Sequence, residues 1–201
     1  MIDRTEAEEH LRVIRSLMEK ATVYRAVSAP GALVSGSCAV VLATAGLMGA
    51  PIGFLPGWLG VLAVTGVANL FLLWRDAQRR GEVFVSAGMR VALRAMLPGL
   101  IGGGLVSFVP SPAGEALIAT LWVLFAGISF LAASHFAPKA ICWLGRVHFG
   151  AAALLLAHGT FVSHWWAGMN QVTLAHGIMG ATFGLFHLGY AACTWPRRGE
   201  P

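Results

Sequence analysis

Apolar residues run along this chain in six blocks, at 30–49, 52–74, 89–110, 114–134, 139–161 and 171–193, with only short breaks between them. A helix needs about 20 residues to cross a hydrocarbon core roughly 30 Å thick, so each block predicts one transmembrane helix. The fold class expected is all-α, a polytopic membrane bundle of six transmembrane helices arranged as three hairpins.

Residues 5–27 follow a different pattern. Leu11, Ile14, Met18 and Ala21 recur at helical spacing, with Glu9, Arg12, Glu19 and Lys20 opposite them, and Thr5 followed by Glu8 makes a capping box. This predicts an amphipathic cytoplasmic helix that lies on the membrane surface, packs beneath the bundle or holds a cytoplasmic protein partner. The chain then divides into that helix at 1–29, a transmembrane domain at 30–195 and a tail at 196–201. Because the N-terminus opens on acidic residues and turns apolar only near Pro30, a cleavable signal peptide is not expected.

Composition agrees with the pattern: 57% of the residues are hydrophobic and 11% charged, against roughly 25% charged in a soluble domain. A net charge of +5 would suit nucleic acid, but the placement of the cations argues for a bilayer as partner instead. Arg4, Arg12, Arg15, Lys20 and Arg25 precede the first block, and Arg75, Arg79, Arg80, Arg90 and Arg94 cluster between the second and third. Lys139 and Arg146 fall by the fifth, and Arg197 and Arg198 follow the sixth. The other three connections hold no Lys or Arg, which is the positive-inside pattern of an inner-membrane protein with both termini cytoplasmic. Those connections are also short, which excludes an extracellular receptor or a large-substrate enzyme.

Trp58, Trp74, Trp143, Trp165, Trp166 and Trp195 stand near block ends, where indoles favour the headgroup region. Cys38, Cys142 and Cys193 share no metal or redox spacing and read as small packing residues. Small residues recur every four positions: Gly31, Ser35, Ala39 and Ala43 in the first block, Gly99 and Gly103 in the third, Gly180 and Gly184 in the sixth. Such faces pack helices closely, within one bundle or across a homo-oligomer. In the third block Pro98 is followed by Gly99, Gly102, Gly103 and Gly104, which predicts a kinked or partly unwound helix of the kind that lines transporter sites.

Histidine carries the main chemical signal. His148, His158, His176 and His187 lie within the last two blocks, and in an antiparallel hairpin depth would pair His148 with His187 and His158 with His176. Two stacked pairs are what bis-histidine ligation of haem b requires; a divalent metal held by imidazoles is an alternative. The plain reading is packing, with the histidines hydrogen-bonded across helices and Asn69 as a partner. A further group, Asn69, Arg94 and Arg146 with His148 and His187, would bind a small anion or lipid headgroup if it converged.

No nucleotide-binding glycine motif, nucleophile elbow, metal-binding HExxH or catalytic carboxylate pair occurs. Three functions stay open: a non-enzymatic bundle that binds or regulates a partner, a haem- or metal-binding redox subunit, and a small-solute or anion transporter. The stretches Tyr24-Arg-Ala-Val-Ser-Ala-Pro-Gly-Ala-Leu-Val-Ser-Gly36 and Met179-Gly-Ala-Thr-Phe-Gly-Leu-Phe-His-Leu-Gly-Tyr190 resemble segments of uncharacterised bacterial six-helix membrane proteins. That resemblance implies a bacterial inner membrane and no activity.

Overall fold

The computed structural model describes residues 6, 8–14, 28–81, 83–85, 87–108, 114–135, 139–161, 168 and 170–195. Within them lie six helices long and apolar enough to cross a membrane: α1 (Ala29–Leu47), α2 (Phe54–Arg80), α3 (Ala87–Val106), α4 (Glu115–Ala133), α5 (Lys139–Phe161) and α6 (Gln171–Thr194). The chain is a multi-pass membrane protein.

Local chemistry sets the helix ends. The Ser28 hydroxyl accepts the Gly31 N–H at 3.3 Å and Pro30 sits in the first turn of α1, a start that meets an orphan donor and needs no N–H from proline. The Asn170 side chain likewise accepts from the amides of Val172 and Thr173 at 3.0 and 3.2 Å to open α6. Helix α2 runs six residues past its predicted end, because Arg75–Arg80 continue the helix beyond the apolar segment. An Asp76–Arg80 pair at 3.1 Å lies along this extension, and Gly81 closes it at φ 66°, a left-handed cap that suits glycine.

The irregular helix is not the one the sequence favoured. Helix α3 runs unbroken through Pro98, with the Ser129 hydroxyl of α4 lying between the Phe125 carbonyl of its own helix at 2.8 Å and the Met96 carbonyl of α3 at 3.2 Å. In α6, by contrast, Gly180–Phe186 forms seven residues of π-helix.

The core is made of small residues and the outside of large ones. Ala39, Ala43, Ala119, Ala152 and Ala175 are buried, whereas Leu62, Val67, Leu70 and Leu154 are exposed, as expected where lipid solvates leucine as well as protein does and close backbone approach holds helices together. A β-carbon on Gly36 would lie 2.9 Å from the Gly184 carbonyl, and one on Gly184 would lie 2.8 Å from Val40. Gly180 faces Ala43, Gly99 faces Ser129 and Gly103 faces Phe125. The four-residue small faces therefore work inside this bundle.

Helix α6 packs chiefly on α1 and, through its first half, on α4; its contact with α5 is lighter and confined to its second half. Helices α4 and α5 pack extensively on one another, α3 packs on α4, and α2 packs on α1 and touches the start of α6. Helices α2 and α3 thus stand as two wings on a core of α1, α4, α5 and α6, with no comparable packing between them.

Of the N-terminal segment, residues 6 and 8–14 are described as helix, with Leu11, Val13 and Ile14 exposed and Arg12 paired to Glu9 at 3.1 Å. The rest of 5–27 lies outside the described residues, as do Trp165 and Trp166.

Candidate functional site

Between the two wings runs a cleft of about 430 Å³, within the usual range for ligand sites. Its walls are the faces of α2 from Leu55 to Asn69 and of α3 from Gly99 to Phe108. Trp122 and Phe125 of α4, Ser35 and Ala39 of α1, and Met179, Phe183 and His187 of α6 make its floor. The rim residues Leu59, Leu62, Leu100 and Phe108 are exposed, so the cleft opens sideways, where lipid would lie. Glycine keeps it open: a β-carbon on Gly66 or Gly104, both in its wall, would meet nothing within 4 Å. Among the described residues, no charged side chain lines the cleft.

Its few polar groups sit at the two ends. Toward the end of α2 that bears Arg80, the Asn69 amide donates to the Ser35 hydroxyl at 3.2 Å, pinning α2 to α1. Toward the other end, the Trp122 indole donates to the Ser107 hydroxyl at 3.0 Å, and the Trp58 indole donates to His176 Nδ1 at 3.2 Å. Trp58 is buried, so it is no headgroup anchor, whereas Trp74, Trp143 and Trp195 are exposed. An indole can only donate; Nδ1 of His176 is therefore the acceptor and its proton sits on Nε2, which is buried without a partner. Gly46 lies against the His176 ring so closely that any β-carbon would strike it.

The structure brings His148 and His187 together, with ring centroids 5.4 Å apart and planes at 82°. His148 is fully buried among Phe130, Phe183 and Phe186, with centroid distances of 5.5, 5.3 and 5.2 Å. Its Nδ1 meets the Leu144 carbonyl at 2.8 Å. A carbonyl only accepts, so Nδ1 carries the proton and Nε2 presents a lone pair, buried and unpartnered. His187 stacks on Phe183 at 5.7 Å and 10° and borders the cleft, and its Nδ1 is buried beside the Phe183 carbonyl without closing a hydrogen bond of good geometry.

His158 and His176 are not brought together. His158 is exposed on α5 while His176 is buried against Phe54 and Trp58 of α2; the first half of α6 has left α5 to lean on α1 and α4. The π-helix explains why two histidines of one helix face different ways. Eleven residues of α-helix, at about 100° each, would return His187 almost to the face of His176. The wider i→i+5 turn advances each residue by less, a deficit of roughly a quarter turn over the segment. His176 accordingly faces α2, and His187 faces α5 and the cleft. The Thr182 hydroxyl donates to the Ile178 carbonyl at 2.8 Å where the α register gives way.

Bis-histidine haem needs a porphyrin plane between two imidazoles, and the rings of His148, His187, Phe130, Phe183 and Phe186 fill that space by direct contact. Among the described residues, no group of three or more His, Cys, Asp or Glu side chains is placed to hold a metal ion. Arg94 and Arg146 stay apart from the histidines: both are exposed, and Arg146 lies over the Trp143 ring at 5.3 Å. Asn69 bonds Ser35 and not a histidine.

Trp122, Phe183 and the bond of Trp58 to His176 stand outside the pattern of block-end tryptophans and histidine pairs. Trp122 stands eight residues into its block, too deep for a headgroup belt, and a buried indole calls for an acceptor; that depth was the available signal. Trp58→Phe should leave His176 with two unmet ring nitrogens, cost about 1–2 kcal/mol and lower the thermal transition in detergent by roughly 3–6 °C. An unchanged transition would mean that the indole–imidazole bond contributes nothing.

No protein-family model, curated protein or solved structure matches the chain.

Proposed function

We propose that this protein binds one elongated lipophilic molecule, which enters from the bilayer through the side opening between α2 and α3. The observation that carries the reading is the shape of the cleft. From Leu55 to Asn69 it follows fifteen residues of α2, fourteen steps or about 21 Å at 1.5 Å per residue. Spread over that length, a volume of about 430 Å³ makes a narrow channel. A helix with its side chains is about 10–12 Å across, wider than such a channel. The occupant that fits is a hydrocarbon chain and not a helix of a second copy.

The π segment supports the same site. Single π turns inside α-helices gather at functional positions, and this one turns His187 and Phe183 to the cleft. The bundle is read as three hairpins in an inner membrane with both termini cytoplasmic, on the placement of its cations; Asn69 and His187 then lie toward the cytoplasmic side. The function is binding or carrying and not catalysis. The exposed Leu11 and Ile14 favour a membrane-surface or partner-holding role for the N-terminal helix.

Photo-crosslinking tests the reading. Alkyl chains bearing a diazirine, presented in proteoliposomes, should label Leu62, Gly66, Leu100 and Gly103 in a saturable way that unlabelled chains compete away. Uniform, non-competable labelling of every lipid-facing surface would remove the proposal.

A further inference from the structure

A lipophile gains little hydrophobic free energy by leaving lipid for an apolar cleft, so shape and hydrogen bonding must select it. The cleft offers one unusual hydrogen-bonding point. His187 borders it and is nine-tenths buried; with its Nδ1 shut in toward the Phe183 carbonyl, Nε2 is the ring nitrogen left to meet a ligand. Behind it stands His148, whose Nδ1–H is committed to Leu144 and whose Nε2 lone pair is buried and unmet. A neutral His187 with its Nδ1–H toward the Phe183 carbonyl presents a lone pair at Nε2, so the pair holds two acceptors and no free donor.

Position limits the charge of what can come here. His187 is seven residues from the end of α6 and His148 nine from the start of α5, placing them about 10 and 13 Å inside their helices at 1.5 Å per residue. A charged group at that depth is expensive without a counter-charge, and none lines the cleft among the described residues. Phosphate and carboxylate headgroups do not suit the site. A carbonyl only accepts and would leave both lone pairs unmet; a hydroxyl donates to one of them and can also accept.

Resting on the lipophile reading, we propose that the ligand is an uncharged lipid alcohol, its hydroxyl hydrogen-bonded to His187 on the cleft floor. His148 is a positioning residue that closes the far side of the His187 ring.

The test is saturable binding of four probes of one chain length to the purified full chain in nanodiscs: hexadecanol, methyl palmitate, palmitate and hexadecane. Hexadecanol should bind roughly tenfold more tightly than hexadecane or palmitate, the worth of one hydrogen bond in apolar surroundings, and more tightly than the ester. His187→Phe should abolish that preference while hexadecane still binds, and His187→Gln, which keeps a donor and an acceptor, should retain most of it. Equal binding of hexadecanol and hexadecane by the wild-type protein would overturn the alcohol and leave the cleft. Tighter binding of palmitate or of the ester would overturn it too. If no probe binds saturably, the lipophile reading itself fails. The wild-type comparison decides between these outcomes even if the phenylalanine variant does not fold.

Discussion

Gly36→Leu is expected to lower the thermal transition of the detergent-purified protein by roughly 10 °C, while Gly189→Leu leaves it within about 2 °C. A β-carbon at Gly36 would lie 2.9 Å from the Gly184 carbonyl, from the Leu188 amide nitrogen and from the Leu188 side chain. Two of those three atoms are backbone, so the neighbour cannot give by rotating a side chain, and α1 and α6 must separate. Overpacking a tight contact costs about 1–3 kcal/mol and sometimes more; with backbone on the receiving side the upper end applies. For a chain of this size each kcal/mol is worth about 2–4 °C. Gly189, by contrast, is exposed, and a β-carbon there meets nothing within 4 Å. Differential scanning fluorimetry of the two variants checks the pair, and a Gly36→Leu transition equal to that of wild type would mean that α1 and α6 do not meet through these residues.

The second large effect is on binding. Gly104→Phe should weaken binding of a long-chain lipophile at least tenfold and leave the thermal transition nearly unchanged. Gly104 lines the cleft and its missing β-carbon faces open space, so the new side chain is accommodated without a clash. A benzene-sized group fills an engineered cavity of about 150 Å³, which is about a third of the 430 Å³ present. A chain that needs the full length of the cleft is then shut out. Gly150→Phe is the control, because Gly150 has equally open surroundings but lies on α5, away from the cleft. Titration of hexadecanol into the three proteins reads the effect, and equal affinities would show that the cleft is not where the lipid sits.

The six helices were legible because the physics behind them is one-dimensional: in lipid each backbone polar group must be met within its own helix, so a span of apolar residues suffices to identify one. The extra turns of α2 were not, since Arg75–Arg80 leave the apolar segment yet still make a good helix with the Asp76–Arg80 pair. In the sequence Pro98 and its glycines mark a place for a break, but the helix stays whole and the glycines serve close packing on α4, Gly99 against Ser129 and Gly103 against Phe125. Gly180-Ala-Thr-Phe-Gly-Leu-Phe186 looked like ordinary small-residue packing and holds the π turn. The difference lies in tertiary contacts that no local pattern encodes.

The site was half legible for the same reason. Depth along two helices brought His148 level with His187, and the structure brings their rings into contact. Depth alone also matched His158 with His176, but facing direction depends on the π turn and on α6 leaning toward α1 and α4. Arg94 and Arg146 were grouped with the histidines by depth as well, and both side chains are exposed. The cleft could not be read from sequence at all, because it exists only through the lack of packing between α2 and α3, which are neighbours along the chain.

The most direct measurement is a native mass spectrum of the wild-type protein released from its own membranes, followed by extraction and identification of what it carries. A lipid-binding cleft predicts one uncharged long-chain lipid per protein, retained when the annular phospholipids have been stripped by collisional activation. A bare protein, or one that sheds all its lipid together with the annular phospholipids, would contradict it.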